Sequence, residues 1–260
     1  MLKILKYSIY DLLRSRWSYV YFMFYIMLSF SLFFLNNDID KAVITLMNVI
    51  VVLTPLIGTI FGVMYYYNSK EFTELLLAQP IKRSKIFMGQ YLGISLSLTM
   101  SLVFGIGIPF ILYGLFKSAA VFDFTLLLVV GAFLNFIFVA LSYNIALSIN
   151  NKIKGFGYAI LMWLIFAVIY DAVFMGLLIH FNDYPLDKFT LVATMLNPID
   201  LSRILILLKL DASALLGYTG AFLQRFFGTN MGSLVSMSAL MIWIALPIWR
   251  IKRKLRKKDF

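Results

Sequence analysis

The chain has 260 residues, 62% hydrophobic and 17% aromatic, with a mean hydropathy of +0.91 and a net charge of +11. So little polar surface excludes a soluble globular domain and indicates an integral membrane protein. The charge does not indicate a nucleic-acid partner, because the basic residues sit at the ends of apolar runs, where they act as topology signals and lipid-headgroup contacts.

There is no cysteine, so no disulfide or thiolate metal site is expected, and a single histidine, His180. Internal repeats are not evident. The charged leader, followed by a long apolar run without a small-residue cleavage site, is not expected to be a cleavable signal peptide.

Residues 1–16 read as an amphipathic interfacial helix. Lys3, Lys6, Tyr7, Tyr10, Asp11 and Arg14 share one face by their i, i+3, i+4, i+7 spacing, with Leu2, Leu5, Ile9, Leu12 and Leu13 opposite. Six apolar runs follow, at 17–35, 42–66, 91–116, 122–149, 156–179 and 233–251. Each is long enough to cross a hydrocarbon layer of ~30 Å. Of the 23 lysines and arginines, seventeen fall on the side of the termini and six on the other. Both termini are therefore expected in the cytosol, as are the stretches 68–90 and 150–155.

The stretch 68–90 is the longest polar break in the first half of the chain. Asn68 with Glu71 fits a capping box, so a short helix is predicted from Glu71 to Leu77, ended by Gln79-Pro80. Ser84 is placed to cap the next helix. On the other side, residues 180–232 are too apolar for a free loop. Asn197-Pro198-Ile199-Asp200 reads as an N-cap with proline at the first helical position. A second helix is expected from Asp211 to about Gly228. These two helices are expected to lie on or dip into the outer leaflet, with a re-entrant pair as the rival geometry. The fold class is thus an all-α integral membrane protein: six transmembrane helices, an N-terminal interfacial helix, short cytosolic helices and a helical outer segment in one domain, 1–260.

Catalytic constellations are missing. There is no phosphate-binding Gly-x-x-x-x-Gly-Lys-Ser/Thr loop and no Gly-Lys dipeptide, so ATP would have to be hydrolysed by another chain. One histidine and no His-Glu-x-x-His exclude a metalloprotease. An aspartyl intramembrane protease would need a second membrane aspartate, and no serine elbow is present. Asp171 is the one carboxylate well inside a span. It is either a functional group or a hydrogen-bonding partner of a neighbouring helix near the outer interface. Asn48, Asn135 and Asn144 are assigned to helix–helix packing. The pairs Met23/Met27 and Met237/Met241 have i, i+4 spacing that would suit Cu(I), but no histidine or cysteine joins them, and packing explains them better. Pro55, Pro109 and Pro247 fall inside spans and predict kinks.

Two stretches carry a family resemblance. Glu71-Phe72-Thr73-Glu74-Leu75-Leu76-Leu77-Ala78-Gln79-Pro80-Ile81-Lys82-Arg83-Ser84, followed by Gly89-Gln90-Tyr91-Leu92-Gly93, resembles the first cytosolic loop of type-2 ABC exporter permeases. Asn197 to Ile204, then Leu210 to Ala221, is similar to the outer segment of NosY-type permeases, membrane subunits of the transporter that matures nitrous oxide reductase. The resemblance implies a homodimer in the bacterial inner membrane. It would dock a cytosolic NosF-like ATPase that carries ATP and magnesium, while the chain itself holds no cofactor and no metal. A periplasmic β-helical NosD-like protein would sit outside, and the complex would serve copper-centre assembly. Segment 68–90 then becomes the coupling segment. Glu71, Phe72, Glu74, Leu75, Leu76, Gln79, Asn151 and Lys152 would face the ATPase. Asn197, Asp200, Arg203, Leu205, Asp211, Tyr218 and Phe226 would face the periplasmic partner. A sulfur compound is a candidate cargo. The alternatives are a generic exporter permease for a lipid, peptide or drug, and a secondary transporter or channel.

Overall fold

A computed structural model of the chain describes residues 2–35, 39–118, 120–181, 187–209, 224 and 229–257. Among them there is no strand. In hydrocarbon each backbone amide must find its partner within its own segment, and helices meet that requirement.

The helices are α1 (Leu2–Arg14), α2 (Arg16–Leu35), α3 (Ile39–Asn68), α4 (Lys70–Leu77), α5 (Arg83–Leu112), α6 (Val121–Ser148), α7 (Lys152–Leu164), α8 (Tyr170–His180), α9 (Asp187–Leu196), α10 (Pro198–Lys209) and α11 (Asn230–Lys257). A π-helical turn, Ile165–Ile169, joins α7 to α8 as one span. With that span counted once, six helices among the described residues are long and apolar enough to cross a membrane. The third begins at Arg83 rather than near Tyr91. It ends at Leu112, before a turn with Gly114 at φ +90° that a side chain would strain.

The centre of the bundle is the pair α3 and α6, which run parallel, Gly58 beside Asn135 to Val139 and Gly62 beside Ser142, with α5 packed beside them. Leu127, Val130, Leu134, Ile137 and Phe138 of α6 are buried, as are Ile94, Leu98, Leu102 and Ile106 of α5. Both sets repeat every three or four residues, the period of one helix face. Along the outer side of α5 lies α2, where Phe33 meets Phe110 with ring centroids 4.7 Å apart. By contrast, no residue from Ile160 to His180 is buried, so span α7–α8 is the least enclosed of the six.

Helix α1 packs on the start of α5. All six of its predicted polar residues are exposed, from Lys3 to Arg14. The buried stripe is Ile4, Ser8 and Leu12, rotated from the predicted apolar face, and Leu13 is exposed. The cause is Gly93: a Cβ there would lie 2.5 Å from that of Ser8. The bare backbone of α5 therefore admits the small serine as the contact residue. Asn48 is a second correction, since it sits on the exposed side of α3 rather than between helices. Asn144 does bridge helices, donating to the Pro247 carbonyl at 2.8 Å.

The outer segment differs most from expectation. Helix α10 begins at Pro198 as predicted, with the Asn197 side chain accepting from the Ile199 amide at 3.0 Å. However, α10 does not lie on a surface. It packs against α3, α6, α9 and α11, and Ile199, Leu201 and the run from Ile204 to Leu208 are buried. The residues before it form α9, a helix that the sequence pattern does not announce. The two helices are bent by 113° at Asn197 and make a broken or re-entrant pair. Re-entrant geometry fits because α10 is apolar on nearly every side. Asp211, Tyr218 and Phe226, and with them all of the second predicted outer helix except Gln224, lie outside the described residues.

Candidate functional site

Two polar assemblies stand at opposite ends of the bundle. At the basic end, α4 runs between α3 and α5, as the spacing predicts, but it is not held by a capping box. Asn68 is the last residue of α3, and its side chain accepts from Lys152 Nζ at 3.0 Å. Ser69 takes the N-cap position without a capping bond, because its hydroxyl donates back to the Tyr65 carbonyl at 2.7 Å. Ser84 likewise does not cap α5, since Lys82 occupies that position.

What fixes α4 is a buried line of side chains that sequence reasoning misses. Tyr143 of α6 donates to Gln90 Oε1 at 2.7 Å. Gln90 of α5 donates to Thr73 Oγ1 at 2.8 Å, and Thr73 donates to the Ser69 carbonyl at 2.7 Å. Each donor is polarised by the next in a low-dielectric setting. Thr73, Gln90 and Tyr143 are all buried, so the line ties the short helix rigidly to two spans.

The α6–α7 turn is joined to the same assembly. Tyr67 donates to the Ile149 carbonyl at 2.7 Å, and its ring packs so closely on Gly155 that no side chain fits there. Asn151 caps α7 by accepting from the Lys154 amide at 3.1 Å. The two stretches expected to face an ATPase are therefore neighbours, linked by the Asn68–Lys152 bond. Glu71, Glu74, Leu75, Gln79, Asn151 and Lys152 are exposed, while Phe72 and Leu76 are half-buried. Phe72 stacks on Tyr7 of α1 at 4.6 Å between centroids. Two large apolar side chains also project from this surface, Leu75 at 68% and Ile153 at 82% exposure.

Gln90→Leu tests the buried line. It leaves the Tyr143 hydroxyl buried without a partner and is expected to lower stability by about 1–3 kcal/mol. Adding Tyr143→Phe should recover part of that loss in thermal unfolding in mild detergent. Wild-type stability of Gln90→Leu alone would show that the line contributes nothing.

At the far end, Asp171 lies about 28 Å along its span from Lys152, at 1.5 Å per residue. It is paired: Arg203 Nη1 is 2.9 Å from Asp171 Oδ2 and 3.6 Å from Asp200 Oδ1. Asn197 donates to Asp200 Oδ2 at 2.8 Å and to the Phe166 carbonyl at 2.8 Å. That carbonyl belongs to the π-helical turn, which loosens the regular ladder and leaves acceptors for a neighbour. Tyr170 donates to the Ala193 carbonyl at 2.6 Å, and Trp243 of α11 to the Met195 carbonyl at 3.0 Å. Together these bonds fasten the bend between α9 and α10 to two spans. Asn197, Asp200 and Leu205 are buried within the chain, so they serve the fold rather than an outer contact surface. Arg203, half-buried, is engaged by Asp171.

Among the described residues no group of three histidines, cysteines or carboxylates could hold a metal ion. Met23, Met27 and Met241 face outward. Among the described residues the arrangement sets no nucleophile beside a base. What it provides is a rigid platform at one end, a fastened helical bend at the other, and long helices between them.

No protein-family model matches the chain. It is 24% identical to a probable ABC transporter permease protein NosY of Pseudomonas aeruginosa, over 92% of this chain and 89% of that relative. It is 23% identical to the protein of the same description from Stutzerimonas stutzeri, over the same shares. The chain is thus similar, over nearly its whole length, to ABC transporter permeases of the NosY type.

Proposed function

We propose that this chain, as an ABC transporter permease of the NosY type, is a mechanical relay between a cytosolic ATPase and a periplasmic partner, serving copper-centre maturation of nitrous oxide reductase. The observation that carries the reading is the platform at the basic end. Helix α4 and the α6–α7 turn are exposed, adjacent and anchored to the spans through Asn68–Lys152 and Thr73–Gln90–Tyr143. A push on such a platform moves helices as rigid bodies, because packed cores transmit displacement rather than absorb it.

In this reading a NosF-like subunit hydrolyses ATP, since the chain has no phosphate loop. Glu71 and Glu74 pair with basic residues of that subunit, while Leu75 and Ile153 fill apolar hollows on it. The chain works as a homodimer in the bacterial inner membrane with both termini cytosolic. Span α7–α8, unburied from Ile160 to His180, suits a face covered by a second copy. Outside, a NosD-like β-helical protein senses the movement of α9 and α10 through the residues that follow them. Copper does not pass through this chain, and a sulfur compound is the cargo the reading favours. The secondary-transporter alternative has weaker support, because the Asp171 carboxylate is closed onto Arg203 rather than open to a path.

The test is Glu71→Ala with Glu74→Ala. Both side chains are exposed, and the Lys70–Glu74 pair, at 3.8 Å and more than half exposed, contributes little to stability. The double variant is expected to fold normally but to bind the ATPase about tenfold more weakly, from two lost interfacial charges. Unchanged copurification with the ATPase and unchanged reductase maturation would remove α4 from the coupling role.

A further inference from the structure

A cavity of about 760 Å³ has no part in the relay. It is a cleft between α6, α7 and α11 that opens at the basic end and runs from Ile149 to Leu141, about 12 Å along α6. Its inner walls are apolar, with Leu141, Ile145, Met162 and Leu246. Its mouth is framed by Tyr158, Trp249 and Arg250. Tyrosine and tryptophan at such a depth mark the headgroup level of a bilayer.

Two polar groups in the cleft lack partners. Arg250 is exposed and makes no hydrogen bond or ion pair with any described residue. Asn144 is 6% exposed and uses its amide nitrogen twice, to the Ala140 and Pro247 carbonyls, which fixes its orientation. Its Oδ1 is left buried with no donor. The protein itself closes over that oxygen, so Asn144 braces the wall of the cleft rather than facing an occupant. Lys254 closes the floor by donating to the Asn144 carbonyl at 2.9 Å and to the Ser148 hydroxyl.

The cleft therefore needs an anion for Arg250 at its mouth and an acyl chain for the apolar wall within. A second copy of this chain is a poor source of the anion. At this end the sequence sets Asp11, Glu71, Glu74 and Asp259 against seventeen lysines and arginines. We propose that the cleft between α6, α7 and α11 is a binding site for an anionic phospholipid. Arg250 holds the phosphate, and the acyl chain lies along Leu141, Ile145, Met162 and Leu246. Such a lipid fills the wedge between spans six and four just where the α6–α7 turn meets the coupling platform.

The full chain, delipidated in mild detergent, would be titrated with phosphatidylglycerol, phosphatidylethanolamine or phosphatidylcholine in mixed micelles, with bound lipid read by native mass spectrometry. Phosphatidylglycerol is expected to bind about tenfold more tightly than phosphatidylcholine, whose choline cation offsets the phosphate charge that Arg250 meets. Arg250→Gln should abolish that preference and Arg250→Lys should keep part of it. Arg256→Gln, exposed and outside the cleft, should change nothing. The proposal is overturned by a preference that survives Arg250→Gln, by equal binding of the three lipids, or by displacement of the lipid by free glycerol phosphate, which would make the ligand a soluble phosphate.

Discussion

Leu205→Glu is expected to destroy the fold, while Leu205→Met leaves it close to wild type. Leu205 is 1% exposed, in the middle of a helix packed against α3, α6, α9 and α11. Removing a buried leucine side chain costs about 2–5 kcal/mol. Placing a carboxylate among apolar helices adds about 3 kcal/mol on the most lenient membrane scales. The sum is of the same order as the whole stability of a domain, about 5–15 kcal/mol. Leu205→Met conserves volume and should cost less than about 1.5 kcal/mol. The measurement is the folded, monodisperse yield of each variant from membranes, with thermal unfolding of whatever is recovered. If the glutamate variant folds with wild-type stability, α10 cannot be enclosed as described. The comparison also separates two roles for this position. A partner contact would leave the isolated chain intact and fail only in partner capture, whereas an enclosed leucine fails in the isolated chain.

That contrast shows which parts of the molecule the sequence displays. The six spans are legible because length and apolar content alone select them in lipid. The start of α10 is legible because Asn197-Pro198 is a local signal, and Asn197 does cap the helix. The position of α10 is not, because its location between spans five and six outweighs its composition in a reading by topology. Beside the narrow strip of Asp200 and Arg203, Ile199, Leu201 and the run Ile204 to Leu208 leave no broad polar face, and such a helix is an enclosed one. The existence of α4 is legible, but its fastening is not. The line Thr73–Gln90–Tyr143 joins residues 17 and 53 positions apart on three helices, and no periodicity reports such a meeting. The π-helical turn at Ile165–Ile169 has no proline or glycine to announce it. Asp171 stands out by its place in an apolar run, yet its partner Arg203 lies 32 residues away and is expected on a different surface. Pairing between distant segments is a property of the packed bundle, and a single sequence states only that both charges need something.

Arg203→Met should destabilise the chain by about 2–3 kcal/mol, and adding Asp171→Leu should return part of that loss. The guanidinium stands between two carboxylates, 2.9 Å from Asp171 and 3.6 Å from Asp200. Without it the carboxylates face each other unbalanced, and Asp200, with its side chain 10% exposed, has little solvent to screen it. Breaking a fully buried pair costs about 3–5 kcal/mol. The Arg203 and Asp171 side chains are 30% and 33% exposed, which moderates the figure. Asp171→Leu alone should cost less, about 1 kcal/mol, because Arg203 keeps Asp200 as a partner. In the double variant the remaining carboxylate, Asp200, still accepts from Asn197 at 2.8 Å and no longer meets a second negative charge. The cycle over the four proteins should therefore give a coupling of about 1–2 kcal/mol, the range for groups in direct contact. Thermal unfolding in one fixed detergent supplies the four values. Strict additivity would mean that the two groups do not act on each other, and the α9–α10 bend would then be held to the α7–α8 span by the Asn197–Phe166 and Tyr170–Ala193 bonds. The same variants bear on the relay. A loosened α10 should leave ATPase binding at the basic end intact while weakening its effect on the far end. The double variant, with the repulsion relieved, should recover stability without recovering that effect, because the link between α8 and α10 is still missing.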